Sequence, residues 1–128
     1  LDEAVKTYKA ALKLKPDFAG AYNNLGNVFK DLEQIDAAVK SYKKALEIKP
    51  DYVAAQYSLG IMFQDLGQFE AAIKCYEMVL AIKPDFEEAH NNLGVALLNL
   101  NQFDEAVKSY KVAIKIKPDF VEAINNLG

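Results

Sequence analysis

The chain repeats itself every thirty-four residues. Pro16, Pro50, Pro84 and Pro118 keep that step, and so do Gly26, Gly60, Gly94 and Gly128. A period of this length means a fold built by repeating one supersecondary unit. A unit so short cannot bury its own apolar face, so it stacks on its neighbours as a solenoid. The long surface created by stacking is where function has room to sit.

Composition narrows the reading. With 128 residues, 52% of them hydrophobic, one domain with a continuous core is affordable. The net charge of -3 is mild, and all 15 basic residues are Lys. The absence of Arg argues against nucleic acid as a partner, because Arg is the usual residue for bidentate phosphate and base contacts. Cys75 is the one cysteine, so no intrachain disulfide is expected. No apolar run approaches the roughly 18 residues of a membrane span, so no membrane partner is expected. The chain starts inside an apparent helix with no visible signal peptide, and the compartment is not readable from it.

Within Ala19–Tyr52, Tyr22, Leu25, Val28, Phe29 and Leu32 recur at helical spacing, and so do Ile35, Ala38, Val39, Tyr42, Ala45, Leu46 and Ile48. This predicts two amphipathic helices, A and B, joined by a short turn at Glu33–Gln34. Helix B is expected to stop near Lys49, since a residue before proline is pushed out of the α region. Asp51, like Asp17, Asp85 and Asp119, follows a proline and is expected to N-cap the next helix A. Glu88 and Glu122 follow Asp85 and Asp119 at capping-box spacing.

The repeated glycines sit inside helices, where each costs roughly 1 kcal/mol against Ala. That points to close helix approach, as do Ala4, Ala38, Ala72 and Ala106. Tyr8, Tyr42, Tyr76 and Tyr110 keep the register as packing residues. Gly67 and Asn101 suit a left-handed helix end, whereas Glu33 does not, so that turn is expected to be strained or built differently. Ala19–Tyr52 and Glu87–Phe120 share nineteen of thirty-four positions, while Val53–Phe86 departs more. Such uneven drift fits natural duplication.

Tyr22, Leu25, Gly26 and Phe29, followed by Ala38, Tyr42, Ala45 and Pro50, resemble the tetratricopeptide repeat pattern. The resemblance covers the whole chain in phase. Gln56 and His90 depart from it where Tyr22 stands, Leu97 where Phe29 stands, and Val79 where Ala45 stands. It implies an all-α fold, an α-α superhelix of antiparallel helix pairs with the A helices lining its concave side. Residues 1–128 then form a single array: a lone helix B at 1–18, full repeats at 19–52, 53–86 and 87–120, and a partial helix A at 121–128. Such repeats bind proteins or peptides and are not catalytic themselves.

The expected ligand-binding face is the part of helix A not used for packing. It comprises Asn23, Asn24, Asn27, Lys30 and Asp31, then Tyr57, Ser58, Ile61, Gln64 and Asp65. Asn91, Asn92, Val95, Leu98 and Asn99 follow, and then Asn125 and Asn126. Gly20, Ala54, Glu88 and Glu122 accompany them. A carboxamide offers donors and an acceptor, so a ladder of Asn suits an extended peptide backbone of any sequence. In this the chain resembles the asparagine-lined arm of O-linked N-acetylglucosamine transferases. The alternative is that Asn only solvates helix A. The family's carboxylate-gripping mode is not expected, because Asn23, Glu88 and Asn92 stand where its cations belong and Ser58 where its second Asn belongs. The face is acidic overall, which favours a neutral or basic segment. Tyr57, Ile61, Val95 and Leu98 make an apolar group that either anchors a partner side chain or packs between repeats.

All Lys but Lys30 fall on helix B or its exit. They are read as a solvated face, with Lys13, Lys49, Lys83 and Lys117 near helix C-termini, where cations are favoured. No catalytic constellation, metal-ligand spacing or phosphate loop is found, and no cofactor is expected. His90 reads as a half-buried packing residue, Cys75 as partly exposed, and Asp104-Glu105 as a helix-start pair. The leading expectation is a non-catalytic scaffold for an extended protein segment. The alternatives are a substrate-recruiting fragment of a larger enzyme, such as a glycosyltransferase, and a module that self-associates head to tail.

Overall fold

The computed structural model describes the backbone of residues 2–14 and 18–128, and the side chains of 3–10 and 18–128. Pro16, Asp17 and the side chain of Lys13 lie outside the described residues. The described residues form helices and turns without any strand: α1 (Asp2–Leu14), α2 (Ala19–Asp31), α3 (Ile35–Ile48), α4 (Val53–Asp65), α5 (Phe69–Ile82), α6 (Glu87–Asn99), α7 (Phe103–Ile116) and α8 (Val121–Leu127). The chain divides into two compact units, Leu1–Met62 and Phe63–Gly128. In the first, α2 packs on α1 and α3. In the second, α6 packs on α5 and α7, and α8 packs on α7 and touches α6.

The B helices α3, α5 and α7 end as proline requires. Lys49, Lys83 and Lys117 precede Pro50, Pro84 and Pro118, and their φ of -132°, -129° and -131° with ψ of 80° to 92° leave the helical region. Each lysine carbonyl then closes a turn on the aromatic residue three positions on, at 3.1 Å to the Tyr52 N–H, 3.2 Å to Phe86 and 3.0 Å to Phe120. Proline pre-sets the first central φ of such a turn.

The start of the next helix differs from the aspartate cap expected. Phe18, Phe86 and Phe120 occupy the cap position, with ψ of 96°, 93° and 92° and no side-chain capping bond. Asp51, Asp85 and Asp119 stay in the turn, exposed. The reason is geometric: the lysine-to-aromatic turn consumes the aspartate, so the helix can begin only after the ring. At α8 the ring is buried in place of a cap: Phe120 is 9% exposed and clusters with Ala113 and Ala123, whereas Phe18 is 51% exposed. Each lysine also folds back over its ring, with Nζ 5.1 Å from the Tyr52 centroid, 5.0 Å from Phe86 and 5.5 Å from Phe120. A cation over an aromatic face at an exposed site contributes about 0.5–1 kcal/mol. The repeated Lys-Pro-Asp-aromatic run was the signal for this clasp.

The turns from helix A to helix B are all built alike. Gln34, Gln68 and Gln102 donate to the carbonyls of Phe29, Phe63 and Leu97 at 2.8, 2.8 and 2.9 Å, and Glu33, Gly67 and Asn101 donate to Lys30, Gln64 and Leu98. This nested pair of bonds ends a helix only if the residue between takes a left-handed conformation. Glu33, Gly67 and Asn101 do so, with φ of 60°, 76° and 62°. Glu33 is therefore strained and not differently built. Glu33→Gly is expected to raise stability by about 0.5–1 kcal/mol, the left-handed penalty less the entropy cost of glycine. Urea unfolding followed by far-UV circular dichroism reads that gain as a higher midpoint.

Candidate functional site

The A-helix faces are shaped by what the B helices push through them. Ala38, Tyr42 and Ala45 of α3 are fully buried, and Ala106, Tyr110 and Ala113 of α7 are at most 2% exposed. Each tyrosine ring lies against a glycine of its A helix. A Cβ built on Gly26 would stand 2.6 Å from Tyr42 Cε1, and one on Gly94 would stand 2.6 Å from Tyr110 Cε1. Real Cβ atoms do not come so close, so glycine here is the cost of letting the ring in. The close approach read from the repeated glycine is present at both positions.

Through that gap the Tyr42 hydroxyl reaches the A-helix face. Tyr42 donates to Asn27 Oδ1 at 2.6 Å, and Tyr76 donates to Gln64 Oε1 at 2.6 Å. Ser58 also hydrogen-bonds to the Tyr42 hydroxyl. Burial, opposed by the Ser58 bond and aided by the nearby Asp31 charge, lifts the Tyr42 pKa above the ordinary 10.0. Burial alone raises that of Tyr110. Asn27 and Gln64 thus spend their oxygen on a tyrosine and keep only their amino groups for other partners. Sequence reasoning took the tyrosines for packing alone. The signal for their second role was a carboxamide on helix A, Asn27 ahead of Tyr42 and Gln64 one turn further on ahead of Tyr76, where Val95 and Leu98 stand ahead of Tyr110.

The remaining face residues divide by burial. In the first unit Asn24 and Asp31 are exposed, Lys30, Tyr57, Ser58 and Ile61 are half-buried, and Asn23 is buried at 7% exposure. In the second unit Asp65, Leu98, Asn99, Asn125 and Asn126 are exposed, Asn92 and Val95 are half-buried, and Asn91 is buried at 2% exposure. Val95 packs against the cluster of Leu97, Ala106 and Tyr110. Asn126 Nδ2 donates to Asn91 Oδ1 at 3.1 Å, and Asn99 Nδ2 donates to the Val95 carbonyl at 2.8 Å. Asn23 lacks the equivalent donor. Ser58 stands thirty-five residues after it, as Asn126 stands after Asn91. The shorter serine is engaged with Tyr42, and Asn23 Oδ1 is buried without a hydrogen-bond partner.

Other candidates behave differently. His90 is half-buried and its Nε2 lies 2.8 Å from the Pro84 carbonyl. Cys75 is 5% exposed, more buried than its register with serine implied, because Ser41 and Ser109 are themselves only 7% and 8% exposed. A cleft of about 670 Å3 in the second unit is floored by Ile73, Leu93 and Leu97 and rimmed by Glu70 and Glu77. None of the face residues expected from sequence lines it. Among the described residues no group of His, Cys, Asp or Glu is arranged to hold a metal ion, and no helix is long and apolar enough to cross a membrane.

A family model for the TPR repeat matches residues 1–32, 26–67 and 62–101, and one for the tetratricopeptide repeat matches 87–120. The chain belongs to the tetratricopeptide repeat family. Its helices follow that family's order, A and B in alternation from α2 to α7. A crystal structure of MamA superposes with a TM-score of 0.94 at 27% identity, covering 98% of this chain and 74% of that one. Another MamA crystal structure gives 0.86 at 29% identity, covering 94% and 66%. The first TPR of Spaghetti (RPAP3), bound to the HSP90 peptide SRMEEVD, shares the fold with a TM-score of 0.82 at 23% identity, covering 85% and 86%. No curated protein sequence matches significantly.

Proposed function

We propose that this tetratricopeptide repeat chain is a non-catalytic scaffold that binds an extended, neutral or basic protein segment along the free faces of its A helices. The observation that carries the reading is the exposure of carboxamides left over after packing. Asn24 in the first unit and Asn125 in the second are exposed, while the tyrosines beneath are buried. Such groups pair with backbone N–H and C=O irrespective of side chain. The RPAP3 structure, holding a peptide on a similar fold, supports a peptide as the ligand class. The charge of the ligand differs from that acidic peptide, because Lys30 is the only cation on α2, α4, α6 and α8.

The double variant Asn24→Ala, Asn125→Ala tests this, because both residues are exposed. A pool of capped peptides, neutral and basic, is titrated by fluorescence anisotropy. The variant is expected to bind about tenfold more weakly, as loss of two hydrogen bonds requires, with unchanged helicity. Equal affinity would remove the carboxamide face as the binding surface.

A further inference from the structure

Tyr42 and Tyr110 hold one pose in two settings. Both rings touch their glycine at the same three distances, 2.6, 2.8 and 2.9 Å from the built Cβ. The Tyr42 hydroxyl has Asn27 and Ser58 as partners. In the second unit Val95 takes the place of Asn27, and Asn126, in the place of Ser58, gives its amino group to Asn91. The Tyr110 hydroxyl is buried, in a residue only 2% exposed, and has no hydrogen-bond partner. A buried donor without an acceptor is costly, and a ligand that brings an acceptor removes the cost.

The surroundings specify the rest of that ligand. Val95 and Leu98 lie one turn apart on one face of α6, where α2 carries Asn27 and Lys30. Leu98 is 41% exposed, so the polar face of the first unit becomes an aliphatic one here. α6 and α8 contain no Lys or Arg, and Glu88 and Glu122 are exposed on them. A carboxylate is therefore the wrong acceptor, and an uncharged carbonyl is the right one.

We propose that this part of α6 is a subsite for one aliphatic residue of a neutral or basic extended peptide. The backbone carbonyl of that residue accepts from the Tyr110 hydroxyl, and its side chain covers Val95 and Leu98. Asn126 stands in the register of Ser58, so the peptide displaces its side chain from Asn91 to reach the hydroxyl. The proposal rests on the reading of the A-helix faces as peptide-binding.

The test uses the full chain and a fluorescein-labelled, capped peptide of Ala and Lys with one central Leu. Two companions replace that Leu by Ser, or convert the amide after Leu to an ester, which weakens the Leu carbonyl as an acceptor. Fluorescence anisotropy is expected to show the Leu peptide binding about tenfold more tightly than the Ser peptide. Tyr110→Phe should lower affinity for the Leu peptide about three- to tenfold and abolish its advantage over the ester. Thermal melting should show no loss of stability in that variant, since only an unpaired hydroxyl is removed. Val95→Asn, which supplies Tyr110 with the acceptor that Tyr42 has, should erase the preference for Leu. Equal affinity of wild type and Tyr110→Phe overturns the subsite. If that equality accompanies loss of binding in Asn24→Ala, Asn125→Ala, the reading of the carboxamide faces stands. Failure of the wild type to bind any of these peptides overturns both.

Discussion

Tyr42→Ala is expected to destabilise the α2–α3 pair by about 3–5 kcal/mol, the range for truncating a large buried aromatic side chain. The ring is fully buried, and the glycine it rests on offers no side chain that could close the gap. The substitution also strands the Asn27 oxygen that the hydroxyl reaches at 2.6 Å. Tyr42→Phe separates the two terms, since it keeps the packing and forfeits only the bond, about 0.5–1.5 kcal/mol. Hydrogen exchange localises the effect: amides of α2 and α3 should lose protection first, because a repeat protein's stability is a sum of local and nearest-neighbour contributions. The raised pKa of Tyr42 adds a pH signature to the wild type. A tyrosine whose ionisation is pushed above its unfolded value contributes stability that is complete below about pH 10 and falls as pH rises past it. Alkaline titration of the unfolding midpoint should show that decline, and Tyr42→Phe should reduce it.

Gly94→Val is expected to cost about 2–3 kcal/mol, at the upper end of overpacking effects. Valine is a better helix former than glycine by some tenths of a kcal/mol, so propensity alone predicts a gain. Packing reverses the sign. The new Cβ would meet Tyr110 at 2.6 Å, with Cδ1 and Cζ at 2.8 and 2.9 Å, before the two methyl groups are counted. Tyr110 cannot retreat, since its ring is packed among Leu97, Ala106 and their partly buried neighbours. Chemical denaturation followed by tyrosine fluorescence reads both the loss and the displaced ring. A stability equal to or above wild type would show that the ring has room to move.

Much of this was legible in the residues. The alternation of helices follows from two 3.6-residue periods between prolines, and the end of each B helix follows from the residue before proline. The helix starts are not legible in the same way, because the aspartates look like caps in isolation. Only the turn geometry, in which the Lys49, Lys83 and Lys117 carbonyls bond to the aromatic residue, shows that the aspartate is already used. Glu33 is by residue type unfit for a left-handed turn, yet the nested bonds around it impose that conformation regardless.

For the candidate face the limit was of another kind. Helical spacing put Asn23, Asn24, Asn91 and Asn92 together as face residues, but spacing cannot tell an exposed carboxamide from one committed to a neighbour. Asn24 is exposed, whereas Asn91 accepts from Asn126 and is buried. Those pairings join residues about one repeat apart, and no local pattern encodes them.

By itself the sequence determined the repeat, the helix pair and the places where glycine must stand, because period, proline stereochemistry and helical spacing act within one unit of chain. Tertiary structure decided which polar groups are spent and which are free. Whether a tyrosine hydroxyl finds Asn27 or faces Val95 depends on a ring crossing between helices, and hydrogen bonds are directional over about 3 Å. A shift that leaves the apolar pattern unchanged is enough to orphan a donor, and that is the difference between Tyr42 and Tyr110.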